Sequence, residues 1–467
     1  FAEDAARVLA GAGIRVHALA GLTPTPLLAF AVRRLDAAAG VQVTASHNPA
    51  ADNGYKVYWG DGAQIVPPLD AEISAAIDAV ASLDGLLLAA AGDPLVTEVP
   101  DTLRDAYADA VLPLLVRPQE RDLRIVTTPL HGVAAPLLTD LLSRAGFDDV
   151  AVVPQQAEPD PDFPTVSFPN PEEPGALDLA LDLARERDAD VVLANDPDGD
   201  RIAAAVPTAA GWRVLSGDET GCLLADWLLT EGPQDHGRVV ATTVVSSQLL
   251  SRIAADHGVG YAETLTGFKW LARAALDAAA GGGRMVLAYE QALGAMCGTA
   301  VLDKDGISAA MVFAEMAAAY KASGGGVPGA LDALARRHGV HATTGRSIRL
   351  QGPHGQRVVA EVLRRLRADP PAQVGGVPVI AVADHAAGRR VWSDGRQEQL
   401  TTPATDLVAI TLRDGSRLQV RPSGTEPLLK FYLEVVEPAG DEVATARGRA
   451  AARLSDLADT FLDLTAV

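Results

Sequence analysis

The sequence predicts an α/β protein of several domains, in which three related α/β units precede a smaller α+β domain. The chain has 467 residues, which is more than one hydrophobic core usually serves. Short apolar runs alternate with helical stretches over most of this length, and three of them end in polar loops, at Ser46, Asp196 and Glu290. Because ligands bind beyond the carboxyl ends of strands, we expect units with mixed sheets around a central cleft, with the last domain as its fourth wall.

The bulk composition is typical of a soluble globular protein, with 48% hydrophobic and 4% aromatic residues. Lys and Arg total 39 against 60 Asp and Glu, and this net charge of −21 argues against nucleic-acid or anionic-membrane partners. Cys222 and Cys297 lack the spacing of metal ligands and are expected in the core, so a reducing cytoplasm is the expected compartment. No uninterrupted apolar run reaches the length of about 18 residues that a membrane span needs.

The first domain is expected to span residues 1–119 and to end at Arg117-Pro118. The chain begins at Phe1, without a methionine, inside an amphipathic pattern, which predicts that the natural N-terminus of this domain is missing. The spacing of apolar residues predicts helices over 2–12, 23–39, 70–81 and 102–116. It also predicts one strand over 14–19 and a second that begins at Val41.

Three further domains are expected over 120–211, 212–341 and 342–467. Alternating strands and helices characterise the second and third, and clustered strands the fourth. The predicted strands are 123–127, 150–153, 190–194, 238–244, 285–288, 347–350, 377–382, 407–412 and 418–420, and the predicted helices are 176–187, 217–230, one capped by Asp305, and one from about 441.

The first candidate site is the loop Thr44-Ala-Ser-His-Asn-Pro49, which follows a short β-branched run and continues into Asn53-Gly-Tyr-Lys56. A serine at the end of a strand, beside His47 and Lys56, has the surroundings of a nucleophile. The same residues are also ordinary turn formers, so this loop alone does not distinguish a nucleophile from a plain turn.

The second candidate site is Asp196-Pro-Asp-Gly-Asp-Arg201, where Asp196, Asp198 and Asp200 alternate on a tight loop. Hard divalent cations prefer several carboxylate oxygens at short range, so the pattern predicts a Mg²⁺ site. A calcium loop would need glycine and glutamate where this chain has Arg201 and Pro207. Arg201 is expected to face a bound anion.

Two further loops complete the set. Glu290 and Gln291 are suited to binding sugar hydroxyls or to capping a helix. Lys269, in Gly267-Phe-Lys269, is suited to binding a phosphate or to extending its ammonium into solvent. The segment Arg421-Pro-Ser-Gly-Thr-Glu-Pro427 offers a guanidinium, hydroxyls and backbone amides, as in a phosphate cradle or a capped turn. Together the four loops favour phosphoryl transfer on a small phosphorylated polyol.

These motifs, in this order, resemble those of the α-D-phosphohexomutase family over essentially the whole chain. The resemblance implies four domains around a central cleft, one Mg²⁺ per chain and a bisphosphorylated sugar as intermediate and activator. Small-molecule sugar phosphates are then the expected partners of a chain that is a monomer or homodimer. The implied activity is a phosphosugar mutase that interconverts hexose 1-phosphates and hexose 6-phosphates.

The resemblance also implies roles for individual residues. Ser46 would carry the transferred phosphoryl group, and a phosphoserine oxygen with Asp196, Asp198 and Asp200 would hold Mg²⁺. The expected catalytic residues are Ser46, His47, Lys56 and Arg201, with Lys56 as the general acid-base group. The expected substrate-binding residues are Gly267, Lys269, Glu290, Gln291, Arg421, Ser423, Gly424 and Thr425.

One loop departs from the family pattern. The family's sugar loop often reads Gly-Glu-Glu-Ser-Gly, whereas this chain has Tyr289-Glu-Gln-Ala-Leu-Gly294. That loop, with Thr128-Pro-Leu-His-Gly132 and Thr266-Gly-Phe-Lys-Trp270, is similar to the branch that contains phosphopentomutase-like enzymes and many bacterial phosphomannomutases. This similarity makes a phosphopentomutase the first alternative. A non-catalytic sugar-phosphate sensor and a phosphatase are the others.

Overall fold

The structure is a computed structural model that describes residues 1–349, 352–423 and 428–465. Its residues form two compact units. The first unit comprises 1–242, 257–262 and 267–328, and the second comprises 243–256, 263–266 and 329–467. The boundaries of the four domains expected from the sequence remain predictions.

Helices cover much of the chain and alternate with strands in the first unit. The helices are α1 (Ala2–Gly11), α2 (Thr25–Arg34), α3 (Leu69–Asp78), α4 (Thr102–Val111), α5 (Ala135–Arg144), α6 (Asp178–Glu186), α7 (Gly217–Glu231), α8 (Leu249–Asp256), α9 (Phe268–Ala280), α10 (Gly306–Ala322), α11 (Gly326–His338), α12 (Gly352–Ala368) and α13 (Val443–Thr465).

The strands form mixed, antiparallel and parallel sheets. They are β1 (Val16–Leu19), β2 (Ala39–Val43), β3 (Tyr55–Trp59), β4 (Val96–Val99), β5 (Ile125–Thr128), β6 (Val150–Val152), β7 (Val191–Ala194), β8 (Ala203–Thr208), β9 (Gly211–Val214), β10 (Arg238–Thr243), β11 (Gly260–Thr264), β12 (Arg284–Glu290), β13 (Gly294–Cys297), β14 (Val340–Arg349), β15 (Gln373–Val374), β16 (Val377–Asp384), β17 (Arg389–Trp392), β18 (Gln397–Gln399), β19 (Val408–Leu412), β20 (Arg417–Pro422) and β21 (Leu428–Glu437).

A five-stranded sheet in the order β6-β5-β7-β8-β9 carries the aspartate loop. Strand β5 pairs in parallel with β6 and β7, whereas β7 pairs antiparallel with β8, so the sheet is mixed. Every residue of β5 and β7 is buried, as expected for continuous apolar strands covered on both faces. The loop between β7 and β8 therefore starts from a rigid, buried strand.

A second mixed sheet has the order β11-β10-β12-β13. Strand β10 is parallel to β12, and β12 turns back antiparallel into β13, with Glu290 opposite Gly294. A separate hairpin of β2 and β3 places Gln42 opposite Lys56, while β1 and β4 pair in parallel. The hairpin brings Lys56 back alongside the strand that leads to Ser46.

Two long helices in the first unit have well-formed N-termini. Helix α7 begins with a capping box, in which Ser216 and Glu219 each satisfy the backbone N–H of the other. Helix α10 begins after Asp305, whose carboxylate accepts from the N–H groups of Ile307 and Ser308, so the expected cap is confirmed. Helix α10 is buried from Gly306 to Ala318, and its small alanine side chains allow neighbouring elements to approach closely.

The second unit is built on the sheet β14-β21-β20-β19-β16-β17-β18, with β15 paired to β16. Its described pairings are antiparallel, and α12 and α13 supply apolar side chains to its core. Phe431 of β21 and Phe461 of α13 meet edge to face, with ring centroids 5.7 Å apart. This arrangement agrees with the smaller α+β domain expected at the C-terminus.

The predicted α/β class is confirmed, and most predicted elements are present within a few residues. The longest elements that the sequence analysis left unassigned are helices α9, α11 and α12. Strand β12 also runs through Glu290, where a loop was expected after Ala288, because the β12–β13 hairpin extends the pairing to that residue. Cys222 and Cys297 are buried, as expected. Among the described residues, no helix combines the length and apolarity needed to cross a membrane.

Candidate active site

The aspartate loop connects β7 to β8 and projects three carboxylates into one small volume. Asp196, Asp198 and Asp200 are at most 4% exposed, and each offers a carboxylate oxygen within 4.8 Å of the others. The amide of Asn195 donates to the carbonyl of Arg201 over 2.7 Å and closes the loop. Gly199 has a φ of +73°, a conformation that glycine adopts without strain. The alternating spacing therefore does turn the three carboxylates to the same side.

The donor set of this loop fits a divalent cation. Asp198 Oδ1 and Asp200 Oδ1 are both buried and have no hydrogen-bond partner. Burial and the charges of Asp200 and Asp198 raise the pKa of Asp196 well above its usual value. Buried carboxylates that repel one another and leave oxygens unpaired are the environment in which a hard cation is most stabilising. These aspartates are thus the residues that could hold Mg²⁺.

The structure places Ser46 directly beside the aspartates. The Ser46 hydroxyl donates to Asp196 Oδ2 over 2.9 Å and lies 3.1 Å from His47 Nδ1. The Ser46 N–H donates to the Thr44 hydroxyl over 2.8 Å. Ser46 has a φ of +53°, which is uncommon for a residue with a side chain and is often found where function constrains the backbone.

Lys56 contacts the other two aspartates of the loop. Its ammonium is 2.8 Å from Asp198 Oδ2 and 2.8 Å from Asp200 Oδ2. Burial opposes the charged form of Lys56, but the charges of Asp200 and Asp198 outweigh it and raise the pKa well above its usual value. Lys56 is therefore an ammonium at neutral pH and enters the site as a proton donor.

A second buried ammonium, that of Lys304, was not recognised from the sequence. Its Nζ is 3.1 Å from Asp200 Oδ2 and 3.8 Å from Asp303 Oδ1, and it lies 5.5 Å from the centroid of the Phe268 ring. Burial alone would raise the pKa of Asp200, but Lys304 and Lys56 lower it below its usual range. The signal was present in the sequence, because Asp303-Lys-Asp305 places three charges directly before an apolar helix.

Asp303 links the Lys304 ammonium to the β2–β3 hairpin and to the residues that follow it. Its Oδ2 accepts from the Tyr58 hydroxyl over 2.6 Å and from the Gln64 amide over 2.7 Å. Asp303 and Tyr58 are both buried, so their hydrogen bond is made away from water. Asp303 thereby helps to hold the Lys304 ammonium next to Asp200.

The guanidinium of Arg201 has hydrogen-bond donors that no acceptor in the described part of the chain satisfies. Its backbone N–H donates to Asp196 Oδ1 over 3.0 Å, while its Nε is 3.8 Å from Asp196 Oδ2 and its Nη1 is 3.9 Å from Glu172 Oε2. Both Nε and Nη1 are buried and make no hydrogen bond. A buried guanidinium with unused donors is suited to an anion such as a phosphoryl group. Glu172 is a neighbour that the sequence analysis did not single out.

His47 is neutral in this environment. Burial and the positive charge of Arg201 lower the pKa of His47 to about 3, although Asp200 and Asp198 oppose the shift. Its Nδ1 faces the Ser46 hydroxyl, and the ring is half-buried. The imidazole therefore contacts the expected nucleophile without carrying charge at neutral pH.

The expected sugar-binding residues lie at the ends of elements in the first unit. Glu290 is the last residue of β12, and burial raises its pKa although Lys304 and Arg201 oppose the shift. Gln291 follows it in the hairpin loop. Gly267 precedes α9 with a φ of +105°, and the Lys269 ammonium lies 5.9 Å from the centroid of the Trp270 ring.

The expected phosphate loop lies in the second unit. Arg421 is in β20 opposite Lys430 of β21, and the N–H of Ser423 donates to the carbonyl of Leu428 over 2.8 Å. Gly424 and Thr425 lie outside the described residues. Arg421 therefore lies within β20, which extends beyond the predicted end of this strand at Val420 because its pairing with β21 continues to Pro422, and Ser423 follows the strand.

The chain matches models of four known domain families. Models of phosphoglucomutase/phosphomannomutase match along the chain: alpha/beta/alpha domain I over residues 1–84, domain II over 105–211, domain III over 216–327 and the C-terminal domain over 359–454. The four matches follow the order of the loops described above.

Individual relatives are similar over nearly the whole chain. A Haemophilus influenzae protein named probable phosphomannomutase is 39% identical over 439 residues, which cover 93% of this chain and 85% of the relative. The phosphopentomutase of Homo sapiens is 35% identical over 464 residues, which cover 94% of this chain and 75% of the relative.

A solved structure shows the same fold. The phosphoglucomutase/phosphomannomutase family protein of Burkholderia thailandensis has 20% identity and a TM-score of 0.65, with 97% of this chain and 84% of that chain covered. The motifs, the four family models and the relatives agree, and the chain belongs to the α-D-phosphohexomutase family of phosphoglucomutases and phosphomannomutases.

Proposed function

We propose that this phosphosugar mutase interconverts hexose 1-phosphates and hexose 6-phosphates through a phosphoserine at residue 46 and a bisphosphorylated sugar. The observation that carries the proposal is the 2.9 Å hydrogen bond from the Ser46 hydroxyl to Asp196, within the buried aspartate cluster. A phosphoryl group on Ser46 would lie beside these carboxylates and beside the unused donors of Arg201. Charge neutralisation of this kind supplies most of the catalysis in phosphoryl transfer.

Asp196, Asp198 and Asp200 are the proposed ligands of one Mg²⁺ per chain, together with a phosphoserine oxygen. A bound Mg²⁺ would neutralise charge on the transferred phosphoryl group. The aspartates are suited to this task because two of their oxygens are buried and unpaired. The neighbouring ammonium groups of Lys56 and Lys304 contribute further positive charge.

In the proposed reaction the phosphoryl group passes between Ser46 and a sugar hydroxyl. As the sugar oxygen bonds to phosphorus, the bond from phosphorus to Ser46 Oγ breaks, the hydroxyl loses its proton and Oγ gains one. The Lys56 ammonium, held at the aspartates, is the proposed donor of the proton that Oγ gains. The neutral His47, whose Nδ1 is 3.1 Å from Oγ, is the proposed acceptor of the proton that the sugar hydroxyl loses. After the bisphosphorylated sugar reorients, the other phosphate returns to Ser46.

The proposed substrate-binding residues divide by chemistry. Glu290 and Gln291 would bind sugar hydroxyls, and Gly267 and Lys269 would contribute an amide and an ammonium. Arg421 and Ser423, with Gly424 and Thr425, would bind the phosphate that does not react.

A phosphopentomutase is the second candidate function. The observation that favours it is the 35% identity to the human phosphopentomutase, together with the departure of the loop at Glu290 from the family pattern. The same phosphoserine chemistry would then act between the 1- and 5-positions of a pentose.

A substrate panel tests the proposal. Turnover of glucose 1-phosphate, mannose 1-phosphate and ribose 1-phosphate is measured with Mg²⁺ and a catalytic amount of hexose bisphosphate, and intact mass is recorded for a phosphate adduct. We expect a hexose phosphate to give the highest kcat/KM, and both turnover and adduct to disappear in Ser46→Ala. Dominance of the pentose would establish the second candidate. Release of free phosphate instead of isomerisation would identify a phosphatase, and neither adduct nor turnover would leave a sensor.

A further inference from the structure

The carboxylate of Asp198 is divided between two environments. Its Oδ2 accepts hydrogen bonds from the hydroxyls of Thr25, over 2.7 Å, and Thr44, over 3.3 Å, and from the ammonium of Lys56 over 2.8 Å. Its Oδ1 is buried and has no hydrogen-bond partner. One oxygen is therefore fully engaged by the protein, while the other remains available to a cation.

Thr25 holds Asp198 by both its main chain and its side chain. The N–H of Thr25 donates to the Asp198 carbonyl over 2.9 Å, in addition to the hydroxyl bond to the carboxylate. Thr25 is fully buried at the first turn of α2, and a Cβ at Gly199 of the aspartate loop would lie only 3.4 Å from the Cβ of Pro24. Two hydrogen bonds from one buried residue leave the Asp198 side chain little rotational freedom.

The three donors to Oδ2 differ in how they would respond to a divalent cation. The Lys56 ammonium carries a like charge and would be repelled from the aspartates by a cation bound there. The Thr44 hydroxyl makes a long bond and also accepts from the Ser46 N–H. The Thr25 hydroxyl makes the shortest of the three bonds and is neutral, so it would remain when a cation binds.

We propose that Thr25 is a positioning residue for the cation site, whose hydroxyl fixes the Asp198 carboxylate so that Oδ1 faces the cation. This inference rests on the proposed function, because it requires that the aspartates hold Mg²⁺. Hydrogen-bond partners of metal-ligating carboxylates commonly tune affinity in this way, and their loss typically weakens metal binding by about 10- to 100-fold. Thr25 therefore contributes to the active site from outside the loops that carry its ligands.

The test compares Thr25→Val, which keeps the shape of the side chain, with Thr25→Ser, which keeps the hydroxyl. Mg²⁺ affinity is measured on the full chain by isothermal titration calorimetry, and unfolding is followed with and without Mg²⁺. We expect Thr25→Val to bind Mg²⁺ about 10- to 100-fold more weakly and to regain turnover at high Mg²⁺. Thr25→Ser should remain close to wild type, and so should the matched control Thr139→Val, whose hydroxyl donates to the carbonyl of Ala135 in its own helix.

Wild-type Mg²⁺ affinity in Thr25→Val would overturn the inference and leave the proposed function intact. If the wild-type protein bound no Mg²⁺, the proposed function itself would fail. Should Thr25→Val not fold, Thr25→Ala measured in the same way decides, and an affinity equal to that of Thr25→Ser would overturn the inference.

Discussion

The hydroxyl of Ser46 donates a 2.9 Å hydrogen bond to Asp196, although 150 residues separate the two in sequence. Ser46 lies in the loop after the hairpin strand β2, and Asp196 follows a buried strand of a different sheet. The carboxylate thus meets the serine at the point where a phosphoryl group would be attached.

Substitution of Asp200 is expected to impair catalysis severely. Asp200 contacts Lys56 and Lys304 and contributes an unpaired oxygen to the cluster, so Asp200→Asn removes a proposed ligand and a partner of both ammonium groups. We expect kcat/KM to fall by about 100-fold or more. Steady-state kinetics with the exposed variant Asp162→Asn as control checks this, and kcat/KM near wild type in Asp200→Asn would contradict the assignment.

Removal of the Lys304 ammonium is expected to destabilise the protein. Lys304→Met leaves Asp303 without its buried cation and removes one of two cations from Asp200, so we expect about 3 kcal/mol less free energy of unfolding. Lys321 is a matched control, because its pair with Asp190 is partly exposed, and Lys321→Met should cost less than about 1 kcal/mol. Urea unfolding in the presence of a chelator measures both, and equal losses would refute the distinction.

Chelation of divalent cations is expected to abolish turnover reversibly. Mg²⁺ at 100 times its dissociation constant should stabilise the folded protein by about 2.7 kcal/mol if it binds only the native state. This increment should disappear in a variant in which Asp196, Asp198 and Asp200 are all changed to asparagine. Thermal unfolding across a Mg²⁺ series measures the increment, and an undiminished Mg²⁺ effect in the triple variant would place the site elsewhere.

Acid is expected to destabilise the second unit through Glu434. Burial opposes the ionised form of Glu434, but the hydrogen bond from His341, the charge of Arg417 and the hydrogen bond from Ser247 lower its pKa to about 2 from the usual 4.5. A depressed carboxyl pKa stabilises the folded state above pH 4.5, and this contribution is lost as the pH falls from about 4.5 to 2.

The shift in the Glu434 pKa corresponds to about 3 kcal/mol of stability at neutral pH. Glu434→Gln should lower the free energy of unfolding at pH 7 and flatten its dependence on pH below 4.5. Denaturant unfolding between pH 7 and pH 3 measures both effects, with the exposed Glu442→Gln as control. A pH dependence as steep in Glu434→Gln as in wild type would show that other groups are responsible.

A methyl group at Gly306 is expected to disturb the aspartate loop. A Cβ at this position would overlap the carbonyl of Arg201, whereas a Cβ at Gly329 would meet no atom within 4 Å. Gly306→Ala should therefore cost about 1–3 kcal/mol and lower activity, while Gly329→Ala should be neutral or slightly stabilising. Unfolding and kinetic measurements on the pair check this, and wild-type behaviour of Gly306→Ala would show that the loop can move aside.

Local patterns in the sequence were sufficient to find the loops that carry the site. Ser46 and the three aspartates stand out because polar residues crowd directly after apolar strands, and because turn residues such as Gly199 fix the backbone there. The α/β class followed from the alternation of strands and helices. The position of Asp305 as a helix cap was also readable, because a cap acts on N–H groups two and three residues away.

Lys304, Glu172 and Thr25 could not be assigned to the site in the same way. A run of charges marks the neighbourhood of Lys304 in the sequence, but each of these residues acquires its part from a partner in another element: Lys304 from Asp200, Glu172 from Arg201, and Thr25 from Asp198. Their importance depends on burial, which strengthens charge and hydrogen-bond interactions that would be weak in water.

The sequence by itself therefore determined the family, the fold class and the loops that supply a hydroxyl and three carboxylates. Only the tertiary structure decided that Ser46 lies within hydrogen-bond distance of Asp196, that two lysine ammonium groups flank Asp200, and that one oxygen of Asp198 is left unpaired. The physical reason is that turns and caps arise from interactions between neighbours in sequence. The charge balance of a buried site, in contrast, arises from contacts that exist only after distant strands and helices have packed together.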